Sequence, residues 1–126
     1  MLEAYSMNVE VNTDTAIPFN SISLNKGCNE VLSSPTTIEL NTKGVYLVSV
    51  DGSLGTETSV QLYKDGVAQE QAQSTGTNPG FVTLVQVGRN NCGCCCTSPV
   101  TIQVKNTGSA AATFTDVNVV VTKLPC

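Results

Sequence analysis

Short runs of β-branched residues alternate with turn residues along this chain, and no window repeats apolar residues at helical spacing. That pattern is its strongest constraint. Thr, Val and Asn are weak helix formers, and ten glycines and five prolines punctuate the sequence. Strand signals recur every 8 to 15 residues, the rhythm of a sandwich or barrel. At 126 residues the chain is one domain, able to bury roughly two-thirds of its unfolded surface.

The strands fall at 16–24, 36–40, 45–50, 60–63, 67–73, 81–87, 100–105 and 113–124. Lys64-Asp65-Gly66 contains the Asp-Gly pair that favours positive φ, so 60–63 and 67–73 form a tight hairpin. Residues 1–15 are more polar and are expected to form an arm or an extra edge strand, with a jelly-roll domain over 16–126. The expected fold is all-β, an antiparallel two-sheet sandwich of eight to nine strands.

Two strands are apolar on both faces: Val45 to Val50, and Asp116 to Leu124. A two-sheet sandwich covers only the inner face of each strand, and no helix is available for the outer one. The surplus apolar positions therefore either lie under loops or are covered by a second subunit.

Composition excludes several chemistries. There is no His, hence no Ser–His or Cys–His pair and no imidazole ligand. Six basic residues against ten acidic ones, scattered from Lys26 to Lys123, make no phosphate-binding stripe, so no nucleic-acid partner is expected. No apolar run is long enough for a membrane helix, and residues 1–5 do not read as a secretory leader. Glu39, Asp51, Glu57, Asp65, Glu70 and Asp116 are the stock for a glycosidase pair, but none lies in a motif and solvated surface is the better reading. Gln69, Glu70, Gln71, Gln73 and Thr75 form a polar ribbon able to hydrogen-bond sugars, though such ribbons are mostly plain outer sheet faces. No catalytic residue, cofactor or metal is assigned.

The six cysteines are Cys28, Cys92, Cys94, Cys95, Cys96 and Cys126. Only Cys92 and Cys95 have zinc-knuckle spacing, and a second knuckle is missing. All six are better read as disulfide candidates, with 15 possible connectivities. Adjacent cysteines rarely bridge one another, so Cys94, Cys95 and Cys96 should reach Cys28, Cys92, Cys126 or another chain. Reduced thiols without a role, and a Cys-cluster metal site, are the alternatives.

Three stretches carry a family resemblance: Phe19-Asn20-Ser21-Ile22, Thr37-Ile38-Glu39-Leu40, and Lys43-Gly44-Val45-Tyr46-Leu47-Val48-Ser49-Val50. Their order resembles the opening strands of the tumour-necrosis-factor-like and complement-type globular heads. In those families a Gly-x-Tyr strand lies in the middle of the trimer-forming sheet. Leu62-Tyr63-Lys64-Asp65-Gly66 resembles their central hairpin, and Phe114 to Leu124 their last buried strand. The resemblance covers about 16–124 and is nearest to the short bacterial and phage versions, on spore-surface collagen-like proteins and on phage head-fibre or decoration proteins. It implies a homotrimer with Tyr46, Val48, Val50, Val120 and Leu124 at the interface. It also implies a non-enzymatic role on a virion surface, made in a bacterial cytoplasm. Residues 1–15 would attach to the capsid and the loops would contact host surface or glycans. A spore-surface or secreted binding head is the alternative, although the chain has no Gly-x-y collagen stalk.

Overall fold

The structure, a computed structural model, describes residues 1–88 and 99–125. Eleven strands follow one another: β1 (Leu2–Val11), β2 (Thr15–Ala16), β3 (Ser21–Asn25), β4 (Glu30–Ser34), β5 (Thr37–Leu40), β6 (Gly44–Leu54), β7 (Thr58–Lys64), β8 (Val67–Gly76), β9 (Gly80–Val87), β10 (Val100–Asn106) and β11 (Ala112–Lys123). No helix occurs among the described residues.

The strands make two antiparallel sheets. The first runs β3-β1-β11-β6-β9; the second runs β4-β5-β10-β7-β8, with the short β2 also paired to β10. Only β4–β5 and β7–β8 are hairpins. Every other connection crosses from one sheet to the other, which ties the two layers together as a jelly-roll sandwich. The all-β, two-sheet expectation therefore stands. Among the described residues eleven strands replace the expected eight to nine: β1 takes up the 1–15 stretch foreseen as an arm or extra edge strand, β4 was not foreseen, and 16–24 divides into β2, a link holding buried Ile17 and Phe19, and β3.

Alternation along the strands fills the space between the sheets. Leu2, Ala4, Tyr46, Val48, Val50, Val85, Val87, Val117, Val119 and Val121 enter from the first sheet; Ile38, Leu40, Val60, Leu62, Ile102 and Val104 enter from the second. Each fully buried Val or Leu contributes roughly 1.5–3 kcal/mol relative to exposure.

Residues 1–15 are neither a free arm nor an edge. β1 pairs with β11 along its length and with β3 on its other side, so it lies inside the sheet. Its polar residues misled because the inward set changes parity within the strand. Leu2, Ala4 and Ser6 point in, then Val9 and Val11 do, with Asn8 at φ 52° between them. β11 makes the matching change between Phe114 and Asp116, where its register against β6 shifts by one.

Buried polar groups fix the two ends of the sandwich. At one end Tyr46 lies wholly inside; its hydroxyl donates to the Thr42 carbonyl (2.8 Å) and accepts the Thr42 N–H (3.2 Å). Thr42 Oγ1 in turn donates to Asn29 Oδ1 (2.8 Å), joining the loops before β4 and β6. At the other end the side chain of buried Asn106 is fully satisfied. Oδ1 accepts from Thr58 Oγ1 (2.7 Å) and Gly108 N (3.1 Å); Nδ2 donates to the carbonyls of Val11 (3.0 Å) and Ala110 (3.2 Å). Glu30 is also buried, and its carboxylate lies against the Met1 amino group.

The Asp-Gly turn is as expected. Lys64 pairs with Val67, and Asp65 and Gly66 both hold positive φ, 50° and 80°. Asp65 Oδ1 accepts the Thr101 N–H (2.9 Å), which docks the turn against β10.

Candidate assembly face

The outer surfaces of the two sheets differ in kind. On the first sheet, register places the outward residues in rows across the strands. Leu84 of β9 stands beside Leu47 of β6, which stands beside Thr122 of β11. In the next row Val82, Ser49, Val120, Glu3 and Leu24 run from β9 across to β3. Val45 is flanked by Gln86 and, through a Leu124 N–H to Val45 carbonyl bond of 2.8 Å, by Leu124. Farther across the face Tyr5 and Met7 project from β1, whereas Ile22 of the edge strand β3 pairs with inward-pointing Ala4.

Several of these side chains have little cover. Val82 and Met7 are each 64% exposed, Leu84 55% and Ile22 48%, far more than a strand residue packed on a second layer would be. On the second sheet the one large apolar side chain so exposed, among the described residues, is Val67, beside the β7–β8 turn.

The second sheet's outer face is polar and internally bonded. Lys105 Nζ lies 4.4 Å from the centre of the Tyr63 ring, an arrangement that attracts a cation to the ring face. Gln103 Nε2 donates to Thr37 Oγ1 (3.0 Å), and Gln61 Nε2 to the Gln69 carbonyl (3.1 Å). The foreseen sugar-binding ribbon lies here. Gln69 donates back to the Val67 carbonyl, Gln73 to the Glu70 carbonyl, and Thr75 Oγ1 is 2.6 Å from Ser59 Oγ. Much of its polar capacity is thus used locally.

Of the residues expected at an intersubunit contact, Val120 and Leu124 are half-buried, with Val120 on the first sheet's outward face and Leu124 beside it. Tyr46, Val48 and Val50 are not outward: all three are at most 1% exposed and belong to the core of a single chain. Their neighbours Val45, Leu47 and Ser49 hold the outward positions instead. Both sides of β6 are apolar, so the strand alone does not disclose its parity. Pairing with β9 does, since Leu47 sits opposite exposed Leu84 while Tyr46 sits opposite buried Val85. Val82, Leu84 and Met7 were missed because exposure, not composition, distinguishes them.

The carboxylates weighed for hydrolysis are scattered. Glu57 and Asp65 lie at turns at opposite ends of the sandwich, and Glu39 is on the second sheet. Asp51 and Asp116 are near one another, and both are exposed on the outward face of the first sheet. No group of three or more potential metal ligands occurs among the described residues.

Cys28 is exposed, with a free thiol, in the loop before β4. Cys92, Cys94, Cys95, Cys96 and Cys126 lie outside the described residues. The chain does fix where those stretches depart. Val87 pairs with Gly44, Val100 with Leu40, Asn41 N–H bonds the Asn29 carbonyl, and Leu124 N–H bonds the Val45 carbonyl. The Cys28 loop, both roots of the 89–98 segment and the residue before Cys126 therefore share one end of the sandwich.

No protein-family profile and no curated protein sequence matches the chain. Solved structures match over nearly its whole length. The globular domain of zebrafish complement 1qA aligns with TM-score 0.66 at 7% identity, covering 94% of each chain. Eiger TNF from S. frugiperda aligns at 0.64 and 14% identity, covering 98% of this chain and 92% of its own. Murine APRIL aligns at 0.62 and 12% identity, covering 98% of both. The chain has the jelly-roll fold of these tumour-necrosis-factor and complement globular domains.

Proposed function

We propose that this chain is a non-enzymatic module that works as a homotrimer, assembled through the outward face of the β3-β1-β11-β6-β9 sheet. One observation carries the reading: Val45, Leu47, Val82, Leu84 and Val120 form a continuous apolar patch on that face, while the opposite sheet is polar outside. Soluble monomers rarely leave such a patch uncovered. The interface residues are accordingly Val45, Leu47, Val82, Leu84, Val120 and Leu124, with Tyr5 and Met7 on the far side of the same face. A cyclic assembly joins two different patches of neighbouring copies, and this face offers one near each edge strand.

The setting we propose is the outside of a phage capsid, as a decoration or head-fibre module. The support is the resemblance of Phe19 to Val50 and Leu62 to Gly66 to the short phage versions of this fold, together with the six cysteines. Their departure from one end of the sandwich favours disulfides among them, in a protein released to an oxidising exterior by lysis. Because residues 1–15 are built into the sheet, attachment to the capsid falls to the exposed loops. The remaining loops are then free for host surface or glycan. Light scattering should give a mass about three times that of one chain, and an antibody against the chain should label purified particles. A monomer at micromolar concentration overturns the assembly; unlabelled particles overturn the setting.

A further inference from the structure

The proposed assembly face is divided along the strands. Towards the end where β6 begins it is apolar, with Val45, Leu47, Leu84 and Leu124. Towards the other end it is acidic. Asp51 of β6 stands opposite Asn118, and Asp116 of β11 stands opposite Ser53, so the two are diagonal neighbours about 7–8 Å apart on adjoining strands. Both are exposed, as is Glu10 farther along β1. Glu3 lies in the Val120 row, its Oε1 accepting a 2.7 Å bond from Ser23 Oγ.

No lysine or arginine answers these charges from the face itself, among the described residues. β1 supplies Glu3, Tyr5 and Glu10; β6 supplies Asp51; β11 supplies Asp116; β3 and β9 supply no ionisable group. Lys123 stands opposite inward-pointing Tyr46, Lys26 lies beyond the end of β3, and the Met1 amino group is turned to Glu30 and the Lys26 carbonyl.

We infer that self-association through this face is linked to protons and salt: it tightens as pH falls through the carboxylate range and as ionic strength rises. The inference rests on the homotrimer reading. A threefold axis sets the same level of every copy side by side, so apolar half meets apolar half and acidic half meets acidic half. Crowding like charges raises their pKa values in the assembly above those in the separated chain. The assembly then binds more protons than free chains do. Its advantage grows as pH drops towards the ordinary Asp and Glu values of about 3.9 and 4.3 and is flat well above them. Added salt acts in the same direction, because screening shortens from about 30 Å at 0.01 M to about 8 Å at 0.15 M.

Sedimentation velocity over a concentration series, on the full chain and on Asp51→Asn/Asp116→Asn, tests this. For the unaltered chain, association should be several-fold tighter at pH 5 than at pH 7, summed over the carboxylates of the three copies. It should also be tighter at 150 mM than at 10 mM salt. The double variant should associate more tightly than the unaltered chain at pH 7 and lose most of both dependences. Circular dichroism at each condition confirms folding; should pH 5 unfold the chain, the pH 7 comparison decides. Association that weakens or stays constant as pH falls, or a double variant no tighter than the parent, overturns the inference. A chain monomeric under every condition overturns the homotrimer reading instead.

Discussion

The two outer faces of this sandwich differ sharply. On the second sheet Gln61, Tyr63, Gln103 and Lys105 bond one another, Thr37 or nearby backbone, and leave a finished polar surface. On the first sheet Val82, Leu84 and Met7 are each more than half exposed. A face whose side chains already satisfy one another gains little from a partner. A face of uncovered branched and aliphatic side chains gains roughly 25 cal/mol for each Å² it buries. On the homotrimer reading, the difference says which side of the molecule meets its own kind.

Substitutions can break that contrast. The largest effect should come one residue away from the face, in the core. Tyr46→Ala removes a wholly buried ring together with its bonds to Thr42, and should cost about 3–5 kcal/mol of stability by chemical denaturation. Leu47→Lys, on the other side of the same strand, should leave the monomer folded and abolish assembly. The two variants separate core from interface, and equal loss of stability in both would erase the distinction.

A smaller effect is expected at the β7–β8 turn, away from either face. Gly66 has open space where a side chain would go, but its φ of 80° strains any β-branched residue. Gly66→Val should lower stability by about 1–2 kcal/mol without changing the mass of the assembly. The smallest effect belongs to the polar face. Gln103→Lys should stay within about 0.5 kcal/mol of the parent and leave oligomeric state untouched, since exposed polar positions tolerate exchange. If it dissociated the assembly while Leu47→Lys did not, the roles of the two sheets would be reversed.

How far the fold could be read from the residues depended on the cleanness of each strand's alternation. β7 and β8 were legible because Asp65-Gly66 marks their turn, and β11 because Val117, Val119 and Val121 keep one parity. β1 was illegible because Asn8 reverses its parity halfway, so neither period-two pattern spans the strand. β4 was hidden by Glu30, a charge that sequence alone assigns to the surface and that the fold buries beside the Met1 amino group. The need for a partner surface was visible in the double-sided strands. Its residues were only half visible: Val120 and Leu124 could be placed from the valines around them, whereas in β6 the family resemblance put Tyr46 outward and its bonds to Thr42 in fact hold it inward.

Cover of this outward sheet by copies of the same chain would show in the mass of the purified protein. Multi-angle light scattering of the purified protein at neutral pH, 150 mM salt and micromolar concentration should return about three times 13.2 kDa. A stable 13.2 kDa monomer under those conditions would contradict the account, because Val82 and Leu84 would then be exposed for some purpose other than assembly.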